Sequence, residues 1–319
     1  MQRRSILSLA GGAALATALP LAAQQPKPAR IGVLVLSSWE RQFAQFKVAL
    51  GALGYVEGKN LLIELRSAQG KPEALDGLAQ ELVRANVDLI VAYLTPAAFA
   101  AKRATGSIPI VMAGVGDPVG AGLIASLARP GGNITGISML ALDLAGKTLE
   151  LMREIKPSAR RIAVLANAGD PFTKPLLEQL HGATQALRVE LLPVQVRGEG
   201  EYESVFAAWV KQGVDAVFIQ PSLPTPPAVA LAMRHRLPSF SFSRPVVEAG
   251  GLFAYTASEK ERALKSAWYV DRILKGAKPA DLPAEQPTKF DLVINGKTAK
   301  ALGLVIPHTV LLREHEVIE

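Results

Sequence analysis

The chain has 319 residues, is 49% hydrophobic and 20% charged, and carries a formal net charge of +7. That length can bury a large core and usually makes two domains, and the composition excludes a disordered chain. The absence of cysteine excludes disulfides, thiol chemistry, cysteine metal ligands and a lipid-modified cysteine.

The N-terminus reads MQRRSILSLAGGAALATALPLAAQQPKPAR. Arg3 and Arg4 precede a short apolar stretch from Ile6 to about Ala23, and a Gln/Pro-rich spacer follows. This is the pattern of a cleavable secretory signal peptide at 1–23 with a linker at 24–29. Pro20 interrupts the stretch, which is too short and too weak for a good membrane span. The Arg3-Arg4 pair leaves both the general and the twin-arginine export routes open. The expected address is the periplasm, without a lipid anchor.

Strand and helix then alternate. Ala29–Leu36, nearly all apolar, reads as a buried parallel strand. Phe43, Phe46, Leu50 and Leu53 recur at helical spacing, and Gly54 closes that helix. A strand is expected at Leu61–Leu65, a helix at Pro72–Arg84 and a strand at Val87–Ala92. Thr95-Pro96 opens a third helix, and IPIVMAG makes the next strand. The pattern restarts at PSARRIAVLAN, which repeats the design of KPARIGVLVL. A strand at Arg161–Leu165, a helix at Pro175–Leu187, a strand at Val189–Val194 and a helix at Tyr202–Lys211 follow. GVDAVFIQ matches NVDLIVAY, and PTPPAVALAMRHRLPSFSFS matches TPAAFAAKRATGSIPIVMAG.

The repeat predicts an α/β protein of two similar three-layer parallel-sheet lobes with a groove between them. Lobe one spans 30–135, with about 255–288 returning to it; lobe two spans 136–250, with about 290–319 returning. Crossings are expected at Thr135–Ser138, near Glu248–Thr256 and around Phe290–Asn295, which makes a three-crossing hinge. Ligands of open parallel sheets gather at the carboxyl ends of strands. Those ends carry Ser37, Ser38, Tyr93, Thr95, Gly116 and Asp117 in lobe one. In lobe two they carry Asn167, Asp170, Gln220, Ser222, Ser243 and Arg244.

Long stretches carry a resemblance: LGYVEGKNLLIELR at 53–66, AAKRATGSIPIVMAGVGDPVGAGLIASLARPGGNITGIS at 100–138, VVEAGGLFAY at 246–255 and YVDRILKGAKPADLPAEQPTKFDLVINGKTAKALGLVIP at 269–307. They resemble substrate-binding proteins of ABC transporters with the type I periplasmic-binding fold, in the family that includes tryptophan- and phenylalanine-binding members. The resemblance implies two lobes joined by three linkers and capture of a small solute in the cleft. It also implies delivery to an ABC permease with its cytoplasmic ATPase. The expected solute is an amino acid or small aromatic carboxylate, held by a monomer without a cofactor or metal.

Each candidate has a local role beside the functional one. Thr95 caps its helix, and the amides there can hold a ligand carboxylate. Asp117 caps a short helix at Pro118 or, as the resemblance implies, takes an α-ammonium. Thr135 and Gly136 in PGGNITGIS shape the hinge or face the ligand. Ser38 and Trp39 cap the first helix or meet the solute. Asn167, Gln220 and Ser222 end strands of lobe two, and Asp170 either adds a polar contact or only caps a helix. Tyr93 and Phe242 are core or pocket aromatics. Arg244 pairs with a ligand carboxylate or with Glu248, which itself supports the hinge. The sequence has no GxSxG or HExxH motif, and its four histidines are scattered, so catalysis is not expected. A ligand-presenting sensor for a membrane kinase or chemoreceptor would share fold and compartment. A structural periplasmic protein is disfavoured by the polar strand ends.

Overall fold

The computed structural model describes residues 27–36, 40–139, 141–313 and 316–318; the expected signal peptide, Ser38 and Trp39 lie outside them. In chain order lobe one contains β1 (Ala29–Val35), α1 (Glu40–Ala52), β2 (Leu61–Ser67), α2 (Leu75–Arg84) and β3 (Leu89–Tyr93). It continues with α3 (Leu94–Ala104), β4 (Ile110–Val115) and β5 (Ile134–Ser138). The chain then builds α4 (Ala141–Ile155), β6 (Arg161–Asn167), α5 (Thr173–Leu187), β7 (Glu190–Val196) and α6 (Tyr202–Lys211). After these come β8 (Ala216–Ile219), α7 (Thr225–Arg234), β9 (Ser239–Ser241), α8 (Arg244–Glu248) and β10 (Phe253–Ala257). The last elements are α9 (Glu259–Leu274), β11 (Phe290–Asn295), α10 (Gly296–Ala301), α11 (His308–Leu311) and β12 (Glu316–Ile318). Among these, no helix is long and apolar enough to cross a membrane.

The first sheet has the order β2-β1-β3-β4-β5, all parallel. The second has the order β12-β11-β10-β9-β8-β6-β7, and its last five strands, read from β7 back to β10, repeat the first order. The internal repeat of the sequence is therefore a repeat of topology. It extends to single residues. Asp88 accepts a hydrogen bond from the amide of Arg30 at 2.6 Å, and Asp215 accepts from the amides of Arg160 and Arg161 at 2.7 and 3.0 Å. Each aspartate ties the start of its lobe's third strand to the start of the first. Among the described residues only β11 breaks the parallel pattern, pairing antiparallel with β10.

Apolar strands need cover on both faces. In lobe one Phe46 and Leu50 of α1 meet Ala267 and Val270 of α9 over Ile31, Val33 and Val91. On the other face α2 and α3 bury Leu82, Ala97 and Ala101 against Leu34, Ile90 and Met112. In lobe two α4 and α5 cover one face through Leu149, Met152, Leu176 and Leu180. Tyr202, Phe206 and Trp209 of α6 and Val229 of α7 cover the other. Helix α9, which follows β10, returns to lobe one and packs on α1, β4 and β5.

The crossings sit beside the segments expected from sequence. Thr135–Ser138 lies in β5, the edge strand of the first sheet, while Phe253–Ala257 and Phe290–Asn295 are strands of the second. The chain passes between lobes just after β5, between β10 and α9, and in the stretch before β11. An isolated bridge from Ile137 to Glu285 holds the first and third of these together.

Gly136 shows how tightly β5 is fitted. Its φ is +132°, and a Cβ there would lie 2.2 Å from the carbonyl oxygen of Met112. Neither backbone can yield without breaking the β4–β5 pairing. Gly136→Ala is expected to cost about 2 kcal/mol or more of stability, read as a fall in the thermal or urea midpoint. A midpoint equal to that of the parent chain would contradict this fit.

Candidate functional site

The carboxyl ends of the two sheets face each other across a cavity. From lobe one it is lined by Leu36, Tyr93, Leu94, Thr95, Gly116 and Met139, with Glu259 and Arg262 of α9. From lobe two Asp170, Phe172, Gln220, Ser222, Phe242 and Arg244 close it. Water centres can occupy about 100 Å³ of this space. That is room for one small solute rather than an oligomer.

In lobe two, strand ends β6 and β8 form one buried polar network. The amide of Asn167 donates to Oε1 of Gln220 at 2.9 Å, and its side-chain Nδ2 donates to the carbonyl of Ser222 at 3.0 Å. Thr173 Oγ1 donates to the same Gln220 oxygen at 2.9 Å. Gln220 is thereby fixed with its Nε2 donating to Oδ2 of Asp170 at 2.9 Å. The amide of Phe172 donates to Oδ1 of Asp170, also at 2.9 Å. Asp170 is 7% exposed, and among the described residues no lysine or arginine forms an ion pair with it. Burial pushes its pKa above the usual carboxylate range, and hydrogen bonds from Ser222, Phe172 and Gln220 oppose the rise. A carboxylate out of water, positioned by neutral donors alone, is a ready acceptor for a cation.

Lobe one supplies the opposite charge. Arg262 reaches the sulfur of Met139 at 3.3 Å and Glu259 at 3.7 Å, both weak partners for a guanidinium. Gly114 makes room for it: with φ +89°, a Cβ there would lie 3.1 Å from the Met139 sulfur and 3.3 Å from Arg262 Cδ. Strand β3 runs into α3 without a loop, and Leu94 makes the bend at φ +65°. That left-handed conformation costs a branched residue about 1–2 kcal/mol. The bend brings the start of α3 to the strand ends, where Leu94 and Thr95 line the cavity.

Of the residues selected from sequence, Tyr93, Thr95, Gln220, Ser222, Phe242 and Arg244 line the cavity. Asn167 lies behind it, organising Gln220 and Ser222. Three others sit away from the lining. Asp117 accepts from the amide of Gly120 at 2.9 Å, Thr135 donates to the carbonyl of Leu282 at 2.7 Å, and Gly136 packs on β4. Thr95 is not the helix cap expected for it. The N-cap of α3 is Tyr93, and Thr95 Oγ1 instead accepts from the amide of Gly116 at 3.3 Å. Because the cap of α3 lies two residues earlier than expected, that hydroxyl is free to join two strand ends. Asp170 lines the cavity and its Oδ1 accepts from the Phe172 amide, but it is not the cap of α5, whose N-cap is Phe172 without a side-chain cap bond. Arg262 and Phe172 were not selected; the i,i+3 pair Glu259–Arg262 after a crossing was the available signal.

The lobes are in contact across the cleft mouth. Arg41 of α1 pairs with Glu248 of α8 at 2.9 Å. The Phe172 ring lies so close to Gly116 that a Cβ there would fall 2.7 Å from it. Pro224 of lobe two likewise abuts Gly70. This is a closed arrangement.

Known proteins share this architecture. A tyrosine-binding protein of Clostridioides difficile strain R20291 is 30% identical over 264 residues, which is 81% of this chain and 75% of the relative. A conserved domain protein from Vibrio cholerae is 30% identical, with a TM-score of 0.84 over 92% of this chain and all of that one. A domain from Streptococcus pneumonia in complex with L-Trp is 28% identical, with a TM-score of 0.83 and the same coverage. A ligand-free, open substrate-binding protein from Clostridium difficile is 25% identical and scores 0.63 over 91% of this chain and 99% of that one. The higher score against the ligand-bound structure agrees with the contacts across the cleft.

Gly116→Ala should therefore hold the lobes apart, and removing the ring with Phe172→Ala should let them meet again. Small-angle scattering is expected to show a larger radius of gyration for G116A and a return toward the parent value for the double variant. Identical radii for all three would contradict the closure contact. The family profile described as ABC transporter substrate binding protein matches residues 33–318, and the chain belongs to that family.

Proposed function

We propose that this protein captures a single α-amino acid with an apolar, aromatic side chain, closes over it and presents it to an ABC permease. The observation that carries the reading is Asp170, a buried carboxylate held by neutral donors at a cavity with room for one small solute. An α-ammonium supplies the missing cation. The ligand carboxylate is received from lobe one by Arg262 and the first amides of α3, where the helix dipole adds to the attraction. Phe172, Phe242, Tyr93 and Met139 give the rest of the cavity an apolar surface for an aromatic ring. Two relatives, one tyrosine-binding and one bound to L-Trp, support the same class of solute.

Each lobe then holds one end of the zwitterion, so the ligand bonds fully only to the closed form. A ligand shifts an equilibrium by its differential affinity for the two states. The permease and its cytoplasmic ATPase would recognise the closed arrangement. The N-terminal segment would direct export to the periplasm and be cut after Ala23, leaving a free monomer.

The test is a calorimetric panel of L-tryptophan, L-tyrosine, L-phenylalanine, indole-3-acetate and sugars. Aromatic amino acids are expected to bind, and indole-3-acetate, which lacks the ammonium, to bind far more weakly. Asp170→Asn keeps the shape and removes the charge. It should weaken amino-acid binding by about 1.5–3 kcal/mol, roughly 10- to 100-fold. Equal affinity for the amine-free acid, or an unaltered D170N, would defeat the assignment.

A further inference from the structure

Arg244 is the most heavily countered charge in the cavity wall. Its Nε donates to Glu248 Oε1 at 2.8 Å, and its two terminal nitrogens donate to the two oxygens of Glu316 at 2.7 and 2.5 Å. Three of its five N–H donors are thus used within the protein. The Arg244 side chain is 8% exposed, and the bond to Glu316 holds the guanidinium more firmly in its charged form. The residue also separates two spaces. It lines the interlobe cavity on one side and, on the other, a second cavity with Arg41, Lys260, Lys289 and Glu316. Glu316 lines only the second. It therefore neutralises Arg244 from behind, through β12, the last strand of the second sheet.

We infer that Glu316 is a specificity-determining residue: an internal counter-ion that turns Arg244 from a carboxylate anchor into a neutral wall and so excludes solutes with a second acid group. This rests on the reading of the cavity as an amino-acid site. Glu248 is shared by Arg244 and Arg41, and Glu259 is shared by Arg41 and Arg262. A second ligand carboxylate brought to Arg244 would lose its water and meet Glu316 as a like charge. Rejection of the wrong ligand by an uncompensated charge is an effective source of selectivity. Without Glu316, the Arg244 charge is left uncompensated and the wall gains a net positive charge.

Glu316→Gln and Glu316→Ala test this. The glutamate lies on a three-residue terminal strand with its side chain 42% exposed, so both variants are expected to fold, which their melting temperatures check. The probes are L-phenylalanine, 4-carboxy-L-phenylalanine and terephthalate, titrated by calorimetry into the parent chain and both variants. The expected result is a gain of about tenfold or more for the two acid probes in the variants. Phenylalanine affinity should stay within about threefold. An unchanged ratio of acid to neutral probe, with phenylalanine bound normally, overturns the inference and leaves the amino-acid reading standing. If the parent binds no phenylalanine while the variants gain terephthalate, the amino-acid reading fails and the role of Glu316 is upheld. No gain for either acid probe in folded variants overturns that role whatever phenylalanine does.

Discussion

Asp170 is out of water, and the groups that position it are an amide, a carboxamide and a hydroxyl. An ionised carboxylate in that setting either binds a cation or takes up a proton. The arrangement in lobe two follows from this need. Gln220 is oriented by Asn167 and Thr173 so that its nitrogen, not its oxygen, meets Asp170. Ser222, Asn167 and Gln220 stand on neighbouring strand ends because β6 and β8 are adjacent at the topological switch of the sheet. The repeated strand order places the equivalent switch of lobe one opposite, so two similar half-sites of different chemistry face one cavity.

Closure joins these half-sites by modest forces. The Arg41–Glu248 pair is partly exposed, and such pairs contribute about 0–1 kcal/mol. The packing of Phe172 on Gly116 adds apolar contact but also demands a glycine. Weak lobe contacts leave the balance between open and closed forms to the solute. The ionic chain Glu259–Arg41–Glu248–Arg244–Glu316 runs from α9 across α1 and α8 to β12. It links the cleft wall to the C-terminal strand, so a residue far along the chain can shape what the cavity accepts.

Much of the fold was legible because parallel strands are read as apolar runs. Tyr202–Lys211 has the helix bounds expected from sequence, and the matched aspartates Asp88 and Asp215 mark the repeat. The hinge was less legible. Thr135–Ser138 and Glu248–Thr256 look like linkers from their position between repeats, yet the first lies in β5 and the end of the second in β10. The site was read through motif position, which favoured Asp117 over Asp170. Asp117 lies in a turn that no helix follows and accepts locally from Gly120, whereas Asp170 lies just before α5 and faces the cavity. Arg262 carries only the faint signal of its i,i+3 pair with Glu259, and Glu316 carries none, because their roles depend on α9 and β12 returning to elements distant in sequence.

The central claim is that Asp170 exchanges a proton for the solute's ammonium. Its folded pKa lies above its unfolded one, so without ligand its contribution to stability is lost as pH rises through the window between them. A bound cation lowers the pKa again, so binding in that window releases a proton and strengthens as pH rises. The direct measurement is calorimetric binding of L-tryptophan across a pH series from the usual carboxylate range upward, in two buffers of different ionisation heat. The account predicts a buffer-dependent enthalpy that reports proton release, absent in D170N. The same enthalpy in both buffers for the parent protein would contradict it.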